Sequence, residues 1–168
     1  MRAIVAIDQN FGIGAGGQLL QPISRDLKRF KKLTMGGVLI YGSRTLLTFP
    51  RQQPLPGRKN LILSRKLAAD AVPGAEIFPS LPACLSRVQE LKTEGYSEDQ
   101  IWVIGGASIY ELLLPYVDQV SLTRIDNVYQ AEVYFPDLGQ SDFSCVEVGD
   151  WLEEDGIRFR YEEWERIG

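Results

Sequence analysis

The chain has 168 residues, of which 45% are apolar and 24% charged, with a formal net charge of −4 and no histidine. That length suits one domain, residues 1–168, able to bury most of its unfolded surface, and the mildly acidic balance offers no case for nucleic acid or an anionic membrane as partner. Two distant cysteines, Cys84 and Cys145, support neither a zinc site nor a disulfide framework, so any acid–base chemistry falls to carboxylates, Tyr, Lys or a cofactor.

The opening "MRAIVAID" reads as a strand and turns polar too soon for a secretion signal. No later run approaches membrane-spanning length, and the expected setting is cytoplasmic. Next comes "GIGAGG", a formal match to G-x-G-x-x-G at Gly12, Gly14 and Gly17. A Rossmann phosphate loop opens a helix at once and has an acid about 20 residues later. Here "QLLQP" intervenes and the later region is "TMGGV", which favours a glycine-rich loop crossing the mouth of a site.

A helix is expected from Arg25 to Leu33, with Ser24 as its cap. At about 100° per residue, Ile23, Leu27, Phe30, Leu33 and Thr34 gather on one arc, and Arg25, Lys28, Arg29 and Lys32 on the other, a solvated face. Asp26 falls among the apolar residues, where a carboxylate is costly unless it is hydrogen-bonded; it suits either a first-turn acid favoured by the helix dipole or an acid aimed into a pocket.

Further strands follow at "GVLIY", "NLILS", "IWVIG" and "VSLTRI", with helical patterns from Ser43, over residues 81–92, and at "ASIYELLLP", stopped by Pro115. "RQQPLPGRKN" reads as a surface loop. This alternation predicts an α/β fold with a central, mostly parallel sheet and flanking helices. The segments "FSCVEV" and "IRFRYEEWER", separated by the turn-rich "GDWLEEDG", predict a C-terminal antiparallel strand pair finishing that sheet.

Three strand ends suit phosphates. "VLIY" runs into Gly42, Ser43, Arg44 and Thr45, and "WVI" into Gly105, Gly106, Ala107 and Ser108, each offering free N–H groups at a helix start. "LILS" ends in Ser64, Arg65 and Lys66, a hydroxyl with two cations. Glycine at any one junction is ordinary turn chemistry, but three together favour a dinucleotide carrying an additional phosphate.

In order along nearly the whole chain, "IVAIDQNFGIG", "DLKRFKKLT", "VLIYGSRT", "PLPGRKNLILS", "VIGGASIYELLLP", "LTRID" and "VYFPD" resemble the dihydrofolate reductase family. The resemblance implies NADPH as hydride donor, dihydrofolate as acceptor, antifolate-type ligands, a monomer and no bound metal. Asp26 matches the family's acid in the pterin cleft, and Thr123 the threonine that hydrogen-bonds it. Val5, Ala6, Leu27, Phe30, Phe49, Leu55 and Ile104 are implied contacts of the pterin and aminobenzoyl groups, and Arg58 matches the arginine that forks onto the substrate's glutamate. Around the cofactor the resemblance places Ala6, Ile13, Gly14, Leu19, Gly42, Ser43, Arg44, Thr45, Leu63, Ser64, Arg65, Gly105, Gly106, Ala107, Ser108, Ile109 and Tyr110. Ile13 and Tyr110 fall at the nicotinamide, and a cis peptide is implied between Gly105 and Gly106.

The chain departs from the family pattern at Leu19, Leu20 and Gln21, where Leu-Pro-Trp is usual, so a glutamine replaces an aromatic wall. Ser43 stands where many relatives place a cation, with Arg44, Arg65 and Lys66 nearby to compensate. Two other readings share the cofactor: the pyrimidine reductase of riboflavin synthesis, and a noncatalytic NADPH-binding module. Asp26, Thr123 and Arg58 together fit folate better than either.

Overall fold

A computed structural model describes residues 1–15, 18–19 and 21–168, with only the backbone at residues 18 and 19. In chain order the elements are β1 (Arg2–Ile7), β2 (Gly12–Ala15), β3 (Gln18–Leu19), α1 (Ser24–Thr34), β4 (Val38–Gly42), α2 (Ser43–Leu46), β5 (Lys59–Leu63), β6 (Ala75–Phe78), α3 (Leu81–Thr93), β7 (Ile101–Gly105), α4 (Ala107–Leu113), β8 (Gln119–Ile125), β9 (Val133–Tyr134), β10 (Phe143–Val148), β11 (Leu152–Glu154) and β12 (Ile157–Arg166). The main sheet runs β10-β12-β8-β1-β7-β4-β5-β6, and a small second sheet runs β3-β2-β9. Strands β8, β1, β7, β4, β5 and β6 pair in parallel, whereas β12 is antiparallel to β8 and to its own partners β10 and β11. The mixed architecture is therefore the α/β sheet with an antiparallel C-terminal pair that the strand pattern predicts. It adds β11 inside "GDWLEEDG", where a turn was expected.

Buried on both faces, the central strands are almost continuously apolar: Val38, Leu39, Ile40 and Tyr41 of β4 are fully buried, as are Leu61 and Ile62 of β5. Helices α3 and α4 cover one face through Cys84, Val88, Leu91, Ile109 and Leu113, packed on Ala3, Val5, Ile7, Val103 and Leu122. On the other face Phe30 of α1 and Leu46 of α2 pack over Ile4, Leu39, Tyr41 and Trp102. Beside them Ile23 joins Ile125 and Phe159.

Two features of α1 differ from the pattern. Ser24 lies within the helix and Ile23 is the cap residue, without a side-chain cap bond. Instead the Glu154 carboxylate, 130 positions away on β11, accepts from the Ser24 N–H at 2.8 Å and the Arg25 N–H at 3.2 Å. A carboxylate satisfies free amides at a helix start and complements its dipole. Glu154→Ala should therefore cost about 1 kcal/mol, read as a lower urea midpoint with unchanged slope. Secondly, Arg29 is not on the solvated face: its guanidinium stacks 4.1 Å over the Tyr161 ring and donates to Glu163 at 3.2 Å. A planar cation can lie flat on an aromatic surface while its edge finds a carboxylate, which draws it inward.

Candidate active site

Strand order reverses around β1. Its ladder with β7 stops at Ala3 opposite Val103, and the next carbonyl, that of Ile4, accepts the Tyr110 hydroxyl at 2.6 Å. Above this point the two strands are unpaired with each other at their carboxyl ends, where parallel sheets open a crevice. A cleft lies here, lined by Ala6, Ile7, Asp8, Gly12, Ile13, Gln21, Pro22, Ile23, Asp26, Leu27 and Ile125. Thus Ala6, Ile13, Asp26 and Leu27, dispersed in sequence, meet at one place. Leu27 is 48% exposed, on the rim of the cleft and not in the core.

Asp26 accepts a hydrogen bond of 2.6 Å from the Thr123 hydroxyl, on β8 and 97 positions away. Burial among apolar side chains raises the Asp26 carboxyl above its ordinary range, and the Thr123 bond and the nearby Arg29 charge pull it only part of the way back. Thr123 itself is buried. Phe30, Phe49, Leu55 and Ile104 are half-buried against a single cluster on this face of the sheet, with Phe49 edge-on to Tyr41 at 5.1 Å. Val5 differs: its side chain is buried in the opposite layer, so only its backbone faces toward β8 and the split. Beyond α1, Arg58 donates from Nη1 to the Thr34 hydroxyl at 3.2 Å and from Nε to the Pro56 carbonyl at 3.0 Å. Its remaining donors face no carboxylate among the described residues.

The two glycine junctions are neighbours in space. A Cβ on Gly42 would come within 3.1 Å of Ile109 in α4, and one on Gly106 within 3.8 Å of the Thr45 hydroxyl in α2. The starts of α2 and α4 therefore lie side by side, with the tighter approach at Gly42. Gly105 has φ +122° and its peptide to Gly106 is cis. Underneath lies the buried ring of Tyr110, packed edge-on to Phe135 at 4.8 Å. At the end of β5 the Ser64 hydroxyl accepts from the Lys66 and Leu67 N–H groups, both at 3.2 Å, so the turn engages it as acceptor and leaves its O–H as donor. Arg44, Arg65 and Lys66 are exposed, and among the described residues no carboxylate pairs with them.

The described part of the glycine-rich segment is not a phosphate loop. Gly12–Ala15 is a strand, paired with β9, and a Cβ on Gly12 would lie 2.6 Å from the Ala131 Cβ. Gly17, in the formal fingerprint, and the side chain of Leu19, an expected cofactor contact, lie outside the described residues. What holds the segment is a residue the sequence reading passed over. Buried Asp8 accepts from the Asn10 and Gly12 N–H groups at 2.8 Å with one oxygen and from the Tyr129 N–H at 3.0 Å with the other. Asp followed two residues on by Asn is an Asx-turn signal that could have marked it.

Fold and cleft define an α/β protein with a half-buried acid, Asp26, hydrogen-bonded in a cleft at the split of its sheet. Residues 1–166 match the dihydrofolate reductase family. The dihydrofolate reductase of Mycobacterium leprae is 38% identical over 159 residues, covering 92% of this chain and 90% of that one. That of Gallus gallus is 30% identical, covering 99% and 96%, and the viral dihydrofolate reductase of Saimiriine herpesvirus 2 is 30% identical, covering 99% and 85%. The chain belongs to the dihydrofolate reductase family, a family of oxidoreductases.

Proposed function

We propose that the protein reduces 7,8-dihydrofolate to 5,6,7,8-tetrahydrofolate with NADPH as electron donor. The reading is carried by the Asp26–Thr123 pair, one carboxyl and one hydroxyl 2.6 Å apart, with the carboxyl lining the cleft at the split of the sheet among mainly apolar residues. Asp26 hydrogen-bonds the amino-pyrimidine edge of the pterin and, because burial raises its carboxyl above the usual range, favours delivery of a proton to N5. Thr123 fixes the carboxyl's orientation by occupying one oxygen. Leu27, Phe30, Phe49, Leu55 and Ile104 wall the ring and aminobenzoyl group and exclude water, and Arg58 takes the glutamate carboxylate with its free donors.

The adjacent helix starts at Gly42 and Gly106 and the cations Arg44 and Arg65, which pair with no carboxylate among the described residues, suit a dinucleotide with an extra phosphate. When bound, it supplies the hydride that goes to the pterin C6. Loss of NADPH absorbance on adding dihydrofolate to the purified protein tests the reading directly, and no loss overturns it. Arg65→Ala should weaken NADPH about tenfold or more while leaving NADH nearly unchanged, since a charge-assisted phosphate contact contributes about 1.5–3 kcal/mol. Equal loss for both cofactors would remove Arg65 from the phosphate.

A further inference from the structure

Behind Asp26 runs an ionic chain with no counterpart among the substrate or cofactor contacts. Arg29, three residues further along α1 and so on the same side of the helix, reaches inward between α1 and the sheet. Its Nη2 donates to Glu163 at 3.2 Å and its plane lies over Tyr161, the residue opposite Thr123 in the β8–β12 ladder. Glu163 is tied in turn to the other wall: it accepts the Ser121 hydroxyl at 2.9 Å and lies 3.6 Å from Arg2, whose guanidinium sits 4.5 Å over the Trp102 ring. The donors Arg2 Nε, Arg29 Nη1 and Trp102 Nε1 are buried without a partner among the described residues. Two cations therefore share one carboxylate, and the surplus positive charge stands next to the acid of the cleft.

We propose that Arg29 is a positioning residue for the reaction: held in place by Glu163 and Tyr161, it sets how tightly Asp26 keeps its proton, and Glu163 moderates that influence. The proposal rests on the catalytic reading of Asp26. A cation close to a half-buried carboxyl, in surroundings far less polarisable than water, favours the ionised form. The carboxyl must nevertheless stay protonated often enough to act as an acid, and Glu163 provides the opposing charge. Other groups around Asp26 are Tyr161 on β12, Tyr110 on α4, Arg25 and the capping Glu154 at the helix start, and Asp8 across the cleft. Burial raises both tyrosines above their ordinary value, so they remain neutral through the working range. All these groups are common to the wild type and the variants below, so differences between titrations isolate the Arg29–Glu163 pair.

The test compares wild type, Arg29→Leu and the isosteric Glu163→Gln by two readouts. One is the NMR titration of the ¹³C-labelled Asp26 carboxyl in the free protein, and the other is the pH profile of single-turnover dihydrofolate reduction. Arg29→Leu should move the Asp26 midpoint upward and Glu163→Gln downward, each by roughly half to one pH unit. Rates at one pH on the falling limb should then rise several-fold in the first variant and fall several-fold in the second. Midpoints that stay put, or that move together in one direction, overturn the proposal, because a merely structural role has no reason to shift them oppositely. If Arg29→Leu does not fold, Glu163→Gln decides alone, and an unmoved or raised midpoint counts against the role. Opposite midpoint shifts with an unmoved rate limb would instead uphold Arg29's role and refute the catalytic reading of Asp26.

Discussion

Asp26→Asn is expected to slow dihydrofolate reduction by about 10²-fold or more at neutral pH, because it removes the cleft's proton-holding group while leaving its shape. The amide oxygen can still accept from Thr123, so the fold should survive and the loss should appear in the hydride-transfer step. The wild-type rate should fall with a single ionisation as pH rises, at a pH above the ordinary carboxylate range because burial raises the Asp26 carboxyl. In the variant that ionisation should vanish from the profile. Stability moves the opposite way. A carboxyl whose folded-state value lies above its unfolded one contributes stability that is full below the unfolded value and is lost as pH rises through the folded one. The neutral amide has no such loss, so the variant should melt above the wild type at neutral pH, with the gap closing on acidification. A variant with near wild-type turnover, or one that melts lower at neutral pH, would remove Asp26 from the role.

Arg58→Leu is expected to raise the Michaelis constant for dihydrofolate about 10- to 10²-fold, with turnover within about threefold of wild type. Charge-assisted bonds to a carboxylate contribute about 1.5–3 kcal/mol each, and those made far from the reacting ring act equally on ground and transition states. The effect must depend on the glutamate tail. A pterin lacking it should already react poorly with the wild type and lose almost nothing more in the variant. Because Arg58 also donates to Thr34 and Pro56, equal losses for tailed and tailless substrates would assign it to holding the end of α1.

The periodicity of the chain was enough to place most of the main-sheet strands and all four helices, and to put Asp26 on the apolar side of α1. Those features depend on residues within a few positions of each other: β-branched runs that fit a pleated buried surface, and apolar residues recurring at helical spacing. Short elements escaped, because β6, β9 and β11 have too few residues to show a period and exist only through the strands they pair with. The same limit applies to the site. Resemblance and pattern pointed to Asp26, Thr123, Arg58 and the glycine junctions, but the sheet decided which side chains reach the cleft. It turned Val5 toward the opposite layer and put Asp8 between two loops. The charges were least legible of all. Helical spacing assigned Arg29 to solvent and gave α1 a serine cap, whereas the folded chain brings Glu163 to Arg29 and Glu154 to the helix start. Spacing reports which face of its own helix a residue occupies, but the partner of a charge is set by contacts more than 100 positions apart, which only the assembled sheet creates.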